Sequence, residues 1–214
     1  MQSRTDDVKA LRDILKLAKL TFCDKGLEIT NENGWIYDDA LSAFSMTGKE
    51  KIYELASDVY QFLKCDDEVL RKKAVTTLGL STRLHLPEFK DVAYKIWLED
   101  KDDGVRDAAL RAWASYYHNT QDRIVLKILY KILTNEKYSV ASRHSALVEI
   151  FHTSQEPSDN YKRYNKKDFF MIRSNEKFNQ KVDWEEIRAI MKKYAPDGIR
   201  PLICVNNHNP NHLT

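Results

Sequence analysis

The sequence predicts an all-α protein, a right-handed α-solenoid of about three helix pairs with helical N- and C-terminal caps. A short sequence pattern recurs three times in the middle of the chain, at spacings of 35 and 37 residues. An amphipathic segment precedes each copy, and these segments repeat with nearly the same period. A fixed period of this length is typical of solenoids. The low content of Gly and Pro, 6 and 5 residues, disfavours a turn-rich β-sandwich.

Each copy of the pattern has the spacing of one helix with its N-cap. A capping residue is followed after two residues by a packing residue and Arg, then by a small Ala and a large apolar residue. The Ala would let the helix approach its partner closely. The three copies occupy residues 67–78, 102–113 and 139–150, with their arginines at Arg71, Arg106 and Arg143.

The preceding segments have apolar residues at the i, i+3, i+4, i+7 spacing of a helix with one buried face. These segments begin at Ile52, Phe89 and Val125, which are 37 and 36 residues apart. Pro87 suits the first turn of the second of them. Two patterns with one period predict three pairs of helices.

The second helix of each pair resembles the HEAT-repeat family, whose pattern is Asp-x-x-Val-Arg-x-x-Ala. The middle copy, which starts at Asp102, matches in full, whereas the third has Ser139 and Ser142 in place of Asp and Val. The resemblance covers residues 49–153, about half of the chain. It implies that each Arg, with the preceding Asp, forms a ladder linking adjacent repeats.

Residues 1–48 are expected to form an N-terminal helical cap. A helix over 6–20, with Thr5 as its N-cap, has one apolar face. Residues 27–37 alternate around Asn33-Gly34, which allows a small hairpin. An irregular loop leading into a short helix at 37–45 is the other interpretation.

Residues 154–214 are expected to form a polar loop, a capping helix and a flexible tail. The loop covers residues 154–168, which are polar and low in aliphatic side chains. The helix covers 183–194, where Asp183 and Glu186 have the spacing of a capping box. We expect this helix to close the far end of the solenoid.

Composition favours a soluble protein without a nucleic-acid partner. The net charge is +2, and residues 1–48, 49–154 and 155–214 carry −2, +1 and +3. No region has the basic excess typical of nucleic-acid binding. No apolar run approaches the length of a membrane span, and no signal peptide is recognisable, which predicts a cytoplasmic location. Three widely spaced cysteines, Cys23, Cys65 and Cys204, predict reduced thiols.

The chain has no recognisable catalytic motif and none that predicts a cofactor. It contains no phosphate-binding loop, nucleophile motif or dinucleotide fingerprint. Cys204, His208 and His212 are spaced like zinc ligands, but the polar residues between them favour a tail without a metal site. Residues 162–167 mix bases with aromatics, as single-strand binding surfaces do, although a solvated loop has the same composition.

These features predict a non-enzymatic protein–protein interaction module, an adaptor or scaffold that acts as a monomer. The concave face of a solenoid is lined by the second helix of each pair. The small size and the composition are typical of bacterial accessory proteins, including those of the immunity type. The residues expected to bind the protein partner are Lys72, Thr76, Asp107, Arg111, Tyr117 and Glu149.

Two other hypotheses stay open. Bacterial alkylpurine DNA glycosylases are built from HEAT-like helix pairs and would need a basic groove with an acidic residue beside an aromatic cleft. Asp107 and Tyr117 are the candidates for those roles, but the near-neutral charge argues against them. A bilin-chromophore lyase with similar repeats would need a chromophore site, and none is recognisable.

Overall fold

The computed structural model describes residues 4–47, 52–80, 86–156, 162–164, 169 and 171–198, and over these residues the protein is helical, without strands. The helices are α1 (Arg4–Ala18) with a π-helical continuation (Lys19–Asp24), α2 (Gly34–Met46), α3 (Ile52–Tyr60) with a 3-10 continuation (Gln61–Lys64), α4 (Glu68–Gly79), α5 (Phe89–Glu99), α6 (Asp103–Ser115), α7 (Arg123–Thr134), α8 (Val140–Ser154), α9 (Asn175–Lys181), α10 (Trp184–Tyr194) and a last 3-10 turn (Pro196–Gly198).

All six helices predicted for residues 49–153 are present, and the predicted N-caps are confirmed. The carboxylate of Asp67 accepts a hydrogen bond from the backbone N–H of Leu70 at 2.8 Å. Asp102 accepts from Val105 at 2.9 Å, and the Ser139 hydroxyl caps α8 in the same way at 3.1 Å. Each cap satisfies a backbone donor that the first turn of the helix leaves unpaired.

The first eight helices pack as four successive pairs: α1 with α2, α3 with α4, α5 with α6, and α7 with α8. The second helices also contact one another in order, since α2 packs on α4, α4 on α6, and α6 on α8. We call α2, α4, α6 and α8 the second-helix row. The capping helix predicted over 183–194 is present as α10, with Asp183 accepting from the Glu186 N–H, and it packs against α7.

The segment expected to be an N-terminal cap contains a helix pair whose second member, α2, has the spacing of the repeated pattern. Counted from Asn33, its buried residues Ile36, Ala40 and Phe44 occupy the packing, small and large apolar positions. Tyr37 stands where the other copies have Arg, and its hydroxyl donates to the Asp67 carboxylate at 3.1 Å. Because Tyr37 replaces the repeated Arg, this copy of the pattern is not recognisable from its arginine.

The hairpin interpretation of residues 27–37 is wrong, and the loop-then-helix alternative is confirmed. The Asn33 side chain accepts from the Thr30 N–H at 2.7 Å and donates to the Glu28 carbonyl at 3.0 Å. These bonds close an irregular loop, and Gly34 already begins α2. The predicted helix over 6–20 is also present, but residue 5 lies inside α1, so Thr5 is not its N-cap.

Arg71 and Arg143 link their helix pairs to the segments that follow, but not through the residue that caps their own helix. Arg106 instead stays within its own repeat, where it donates to the Asp100 carbonyl at 2.6 Å and pairs with Asp103. Arg71 is buried and forms two 3.0 Å hydrogen bonds to the Asp100 carboxylate, which belongs to the next repeat. Arg143 donates to the side chains of Asn175 and Asn179, both at 2.6 Å. The Asp67 and Asp102 carboxylates cap their helices instead. Arg71 and Arg143 thus have the linking role that the resemblance implies, but the predicted Arg–Asp ladder is replaced by bonds to Asp100, Asn175 and Asn179.

The predicted reduced state of the cysteines is wrong for two of them. Cys23, at the end of the π-helical segment, and Cys65, in the turn before α4, form a disulfide that ties the first helix pair to the second. Cys204 lies outside the described residues. Disulfides are typical of oxidising compartments, so this bond weighs against the predicted cytoplasmic location.

Gly79 lies where α4 and α6 approach each other closely. A Cβ atom added at residue 79 would lie 2.4 Å from the Ala112 Cβ and 3.3 Å from its backbone Cα. Gly79→Ala must therefore push the two helices apart, and we expect it to lower the free energy of unfolding by about 1–3 kcal/mol. Urea denaturation measures the difference.

Gly104→Ala is the matched control, because its added Cβ would meet only the side-chain ends of Asp102 and Lys72. We expect this control to change the urea midpoint less than Gly79→Ala does. Equal midpoints for the two variants would contradict the close packing of α4 on α6.

Candidate partner-binding site on the second-helix row

The side chains five and nine residues after each N-cap lie on one side of their helix, because i and i+4 positions share a helix face. In α4 these are Lys72, which is exposed, and Thr76, whose hydroxyl donates to the Lys72 carbonyl at 2.8 Å. In α6 they are Asp107 and Arg111. Four of the six predicted partner-binding residues therefore occupy equivalent positions on neighbouring second helices.

A cavity opens between α6, α8 and the segment before α9. Its volume is about 100 Å³. We call it the Asp107 cavity, and it is lined by Asp107, Arg111, Val140, Ala141, His144, Ser145, Val148, Phe169, Ile172 and Arg173.

Asp107 is the chemically unusual group of this cavity. Its Oδ1 atom is buried and has no hydrogen-bond partner among the described residues. Burial is the main cause that raises the pKa of the Asp107 carboxyl, and the nearby Glu149 adds to the rise. The Ser145 hydroxyl, Arg111 and Lys72 act in the opposite direction without cancelling it. Burial thus makes the ionised form of this carboxyl less favourable than that of an exposed Asp.

Glu149, also predicted as a partner-binding residue, is buried beneath this site. It accepts a 2.6 Å hydrogen bond from Nε2 of His118, and its other oxygen lies 4.0 Å from Nε of Arg111. The His118 ring stacks on His152 at a centroid distance of 4.6 Å. Burial lowers the pKa of His152, with Glu149 opposing and His118 and Arg111 adding to the effect. Glu149 therefore holds His118 and is too deeply buried to be a contact surface itself.

Tyr117 does not join the other predicted residues. Its ring lies 5.5 Å from the Trp113 ring, and Lys90 of α5 sits 5.3 Å from its centroid. Tyr117 and His118 lie in the turn after α6, and of the two it is His118 that bonds to Glu149. The structure thus brings together Asp107, Arg111 and Glu149 and places Tyr117 on the side of α5.

Three residues of the site were not predicted. His118 lies in the turn after α6, beyond the last helical residue Ser115, so the helical period does not place it. His144 occupies the position in α8 that Asp107 has in α6 and was available from the repeat. Its Nε2–H donates to the Tyr164 carbonyl at 2.7 Å, and burial lowers its pKa. Phe169, which stacks on His144 at 5.1 Å, comes from a distant segment with no repeat signal.

The described part of residues 162–167 does not form a base-stacking surface. Tyr164 is buried against Phe151 and Phe169. Arg163 is paired with Glu186 and lies over the Tyr164 ring. Lys166 and Lys167 lie outside the described residues, as do Cys204, His208 and His212. Within the described ranges, no group of three His, Cys, Asp or Glu side chains could hold a metal ion.

No family model, curated protein or solved structure matches this chain. Among the residues that the structure describes, no helix is both long and apolar enough to span a membrane.

Replacing Asp107 with Asn is expected to stabilise the protein at neutral pH. Because the folded state holds the Asp107 proton more tightly than the unfolded chain, wild-type stability falls as pH rises from the ordinary value of 3.8 towards the raised pKa. Asn does not titrate. The difference in the free energy of unfolding should therefore grow with pH across that window, by up to about 1.4 kcal/mol per pH unit. Urea denaturation between pH 4 and 8 measures it.

Asp38→Asn is the matched control, because Asp38 has the equivalent position in α2 and is exposed. We expect the control to follow the wild type at every pH. If Asp107→Asn also parallels the wild type from pH 4 to 8, the raised pKa is refuted.

Proposed function

We propose that this protein is a non-enzymatic protein-interaction module, a right-handed α-solenoid of HEAT-like helix pairs that binds a polypeptide on its concave face. The successive contacts of α2, α4, α6 and α8 support this architecture, because stacked second helices are how such repeats line a concave surface. We place the binding face on the solvent side of the second-helix row.

One observation carries the proposal: polar side chains occupy equivalent positions on neighbouring second helices, and two of them, Asp107 and Arg111, line the Asp107 cavity. The chemistry along the row is mixed, with Asp38 on α2, Lys72 on α4, and Asp107 beside Arg111 on α6. A polyanion would favour one sign of charge throughout, whereas a polypeptide partner can match both signs. This mixture supports an adaptor or scaffold role, in which the protein acts as a monomer. An accessory or immunity-type role is the form of that function that we favour.

A nucleic-acid-binding protein related to the alkylpurine DNA glycosylases is the second candidate. The observation in its favour is an acidic side chain, Asp107, in one cavity with the Phe169 ring and with Arg111 and Arg173. Tyr117, the predicted aromatic partner, is not among the residues that line this cavity and packs beside Trp113 and Lys90. The exposed Asp38 and the near-neutral charge favour the first candidate.

A tagged pull-down from native lysate, with protein and nucleic acid both quantified, tests the proposal. The test variant is Lys72→Glu/Arg111→Glu, which reverses two exposed charges of the row. The matched control is Lys95→Glu/Lys131→Glu, which reverses two exposed charges on the first helices α5 and α7. We expect one polypeptide to be retained by the wild type and by the control, and to be lost with the row variant.

Two results would overturn this function. A polypeptide that is lost only with the control variant would place the binding face on the first helices. Nucleic acid without a specific polypeptide, released by moderate salt, would favour the glycosylase-like candidate, because phosphate contacts weaken steeply with ionic strength.

A further inference from the structure

The Asp107 cavity is lined by a residue with a buried hydrogen-bond acceptor that has no donor among the described residues. Oδ1 of Asp107 is buried, and no described residue donates to it. Leaving a buried acceptor unsatisfied costs about 1–3 kcal/mol, and a bound group that donates to it would remove that cost. The occupant of the cavity should therefore carry an N–H or O–H.

Arg111 brings N–H donors to the same cavity, and these donors can bind an acceptor of the occupant. Its side chain lines the cavity and is 46% exposed, so its guanidinium can reach both the cavity and a partner above it. Its ion pair with Glu149 is long, with 4.0 Å between Nε of Arg111 and Oε1 of Glu149. A guanidinium has five N–H donors, so one distant carboxylate leaves it able to bind a carbonyl oxygen.

The size and the apolar walls of the cavity restrict the occupant further. Small-molecule pockets usually enclose about 300–1,000 Å³, whereas this cavity encloses about 100 Å³. It therefore suits a single side chain better than a cofactor or a complete drug-sized ligand. Its apolar walls, formed mainly by Val140, Val148, Ile172 and the Phe169 ring, suit a short aliphatic stem.

A charged group matches the combination of the Asp107 acceptor and the Arg111 donors poorly. A carboxylate could pair with Arg111 but would set its own oxygens against Oδ1 of Asp107, unless a proton were taken up. A guanidinium or ammonium could donate to Asp107 but would set its donors against those of Arg111, with Lys72 and Arg173 adding repulsion. A primary carboxamide has an N–H donor and a carbonyl acceptor on one small neutral group.

We propose that the Asp107 cavity is a specificity subsite for an Asn or Gln side chain of the partner polypeptide. The carboxamide N–H donates to Oδ1 of Asp107, its carbonyl accepts from Arg111, and its aliphatic stem packs on Phe169 and Val148. This inference rests on the proposed function, because the cavity opens on the second-helix row where the partner docks. It also assigns a role to Asp107, whose burial otherwise only destabilises the fold.

Small probes of matched shape test the subsite on the full chain. Propionamide, propionate and methylguanidinium would be titrated separately into isotope-labelled protein, with amide chemical shifts followed by NMR. We expect propionamide to give saturable shifts at residues around Asp107 and Ser145, with a dissociation constant at least tenfold lower than that of either charged probe. Stronger binding of propionate or methylguanidinium, or no saturation with any probe, would overturn the inference.

Variants of the cavity residues test whether propionamide binds in the Asp107 cavity. Asp107→Leu should raise the dissociation constant for propionamide at least tenfold, since it removes the acceptor. Val148→Phe, which fills the cavity and keeps Asp107, should do the same. Lys131→Glu on α7 is the control and should bind like the wild type. Unchanged affinity in both cavity variants, with native-like spectra, would refute the site.

Competition separates this inference from the proposed function. Once a partner polypeptide has been captured, saturating propionamide should weaken its binding, and so should replacing the inserted Asn or Gln with Leu. A partner that depends on Lys72 and Arg111 but ignores propionamide would leave the function standing and overturn the subsite. Propionamide binding without any captured polypeptide would overturn the assignment of the site to a partner. Saturable binding of a free nucleobase in place of the amide would point to the nucleic-acid candidate.

Discussion

The Ala109→Glu variant is expected to unfold or aggregate at 25 °C. Ala109 is completely buried in α6, the helix that packs against α4, α5 and α8. A glutamate there is too large for the space and would bury a carboxylate among side chains that offer it no partner. We expect a loss of more than about 4 kcal/mol, a large part of the 5–15 kcal/mol that stabilises most domains. Thermal unfolding followed by circular dichroism measures it.

Ala189→Glu is the matched control, because it makes the same substitution at an exposed position of α10. This control should keep a melting temperature close to that of the wild type. An Ala109→Glu protein that melts with the wild type would refute the repeat assignment, since residue 109 holds the small position of the repeated pattern.

Reduction of the Cys23–Cys65 disulfide is expected to cause the second large loss of stability. The bond joins residues separated by 42 positions in the sequence. Closing a loop of that length restricts the unfolded chain by about 4 kcal/mol in the chain-entropy model. Urea denaturation with and without dithiothreitol should show a loss of this size, because the first two helix pairs would then be joined only by non-covalent contacts.

Cysteine variants show which bond is responsible. Cys23→Ser should have the low urea midpoint of the reduced protein and should not respond to dithiothreitol. Cys204→Ser should respond as the wild type does. Alkylation that detects three free thiols in the non-reduced protein would contradict the bond.

The helices of residues 49–153 were predictable because their signals are local. A cap such as Asp102 satisfies N–H groups two or three residues away, and the apolar period identifies the buried face without knowledge of the neighbour. The same local signals are present in α2, but Tyr37 holds the position of the repeated Arg, so the repeated pattern does not identify the first helix pair.

The candidate site was predictable in part, for the same reason. Asp107 and Arg111 follow from the repeat, which places equivalent residues on one face. Tyr117 is predicted from its aromatic character, but it lies in the turn after α6, and its ring packs beside Trp113 and Lys90. Glu149 was predicted to lie off the packing face but is buried, because its burial and its bond to His118 depend on how closely α8 approaches α6.

By itself, the sequence determined an all-helical chain, its repeated helix pairs, their N-caps and the face of each helix that is buried. Only the tertiary structure decided that Cys23 pairs with Cys65, that Arg71 meets Asp100, and that Phe169 covers the cavity around Asp107. The physical reason is the separation along the chain over which each interaction acts. Capping and amphipathicity act within a few residues, whereas a disulfide, a buried ion pair and the desolvation of a carboxyl depend on distances between segments far apart in the chain.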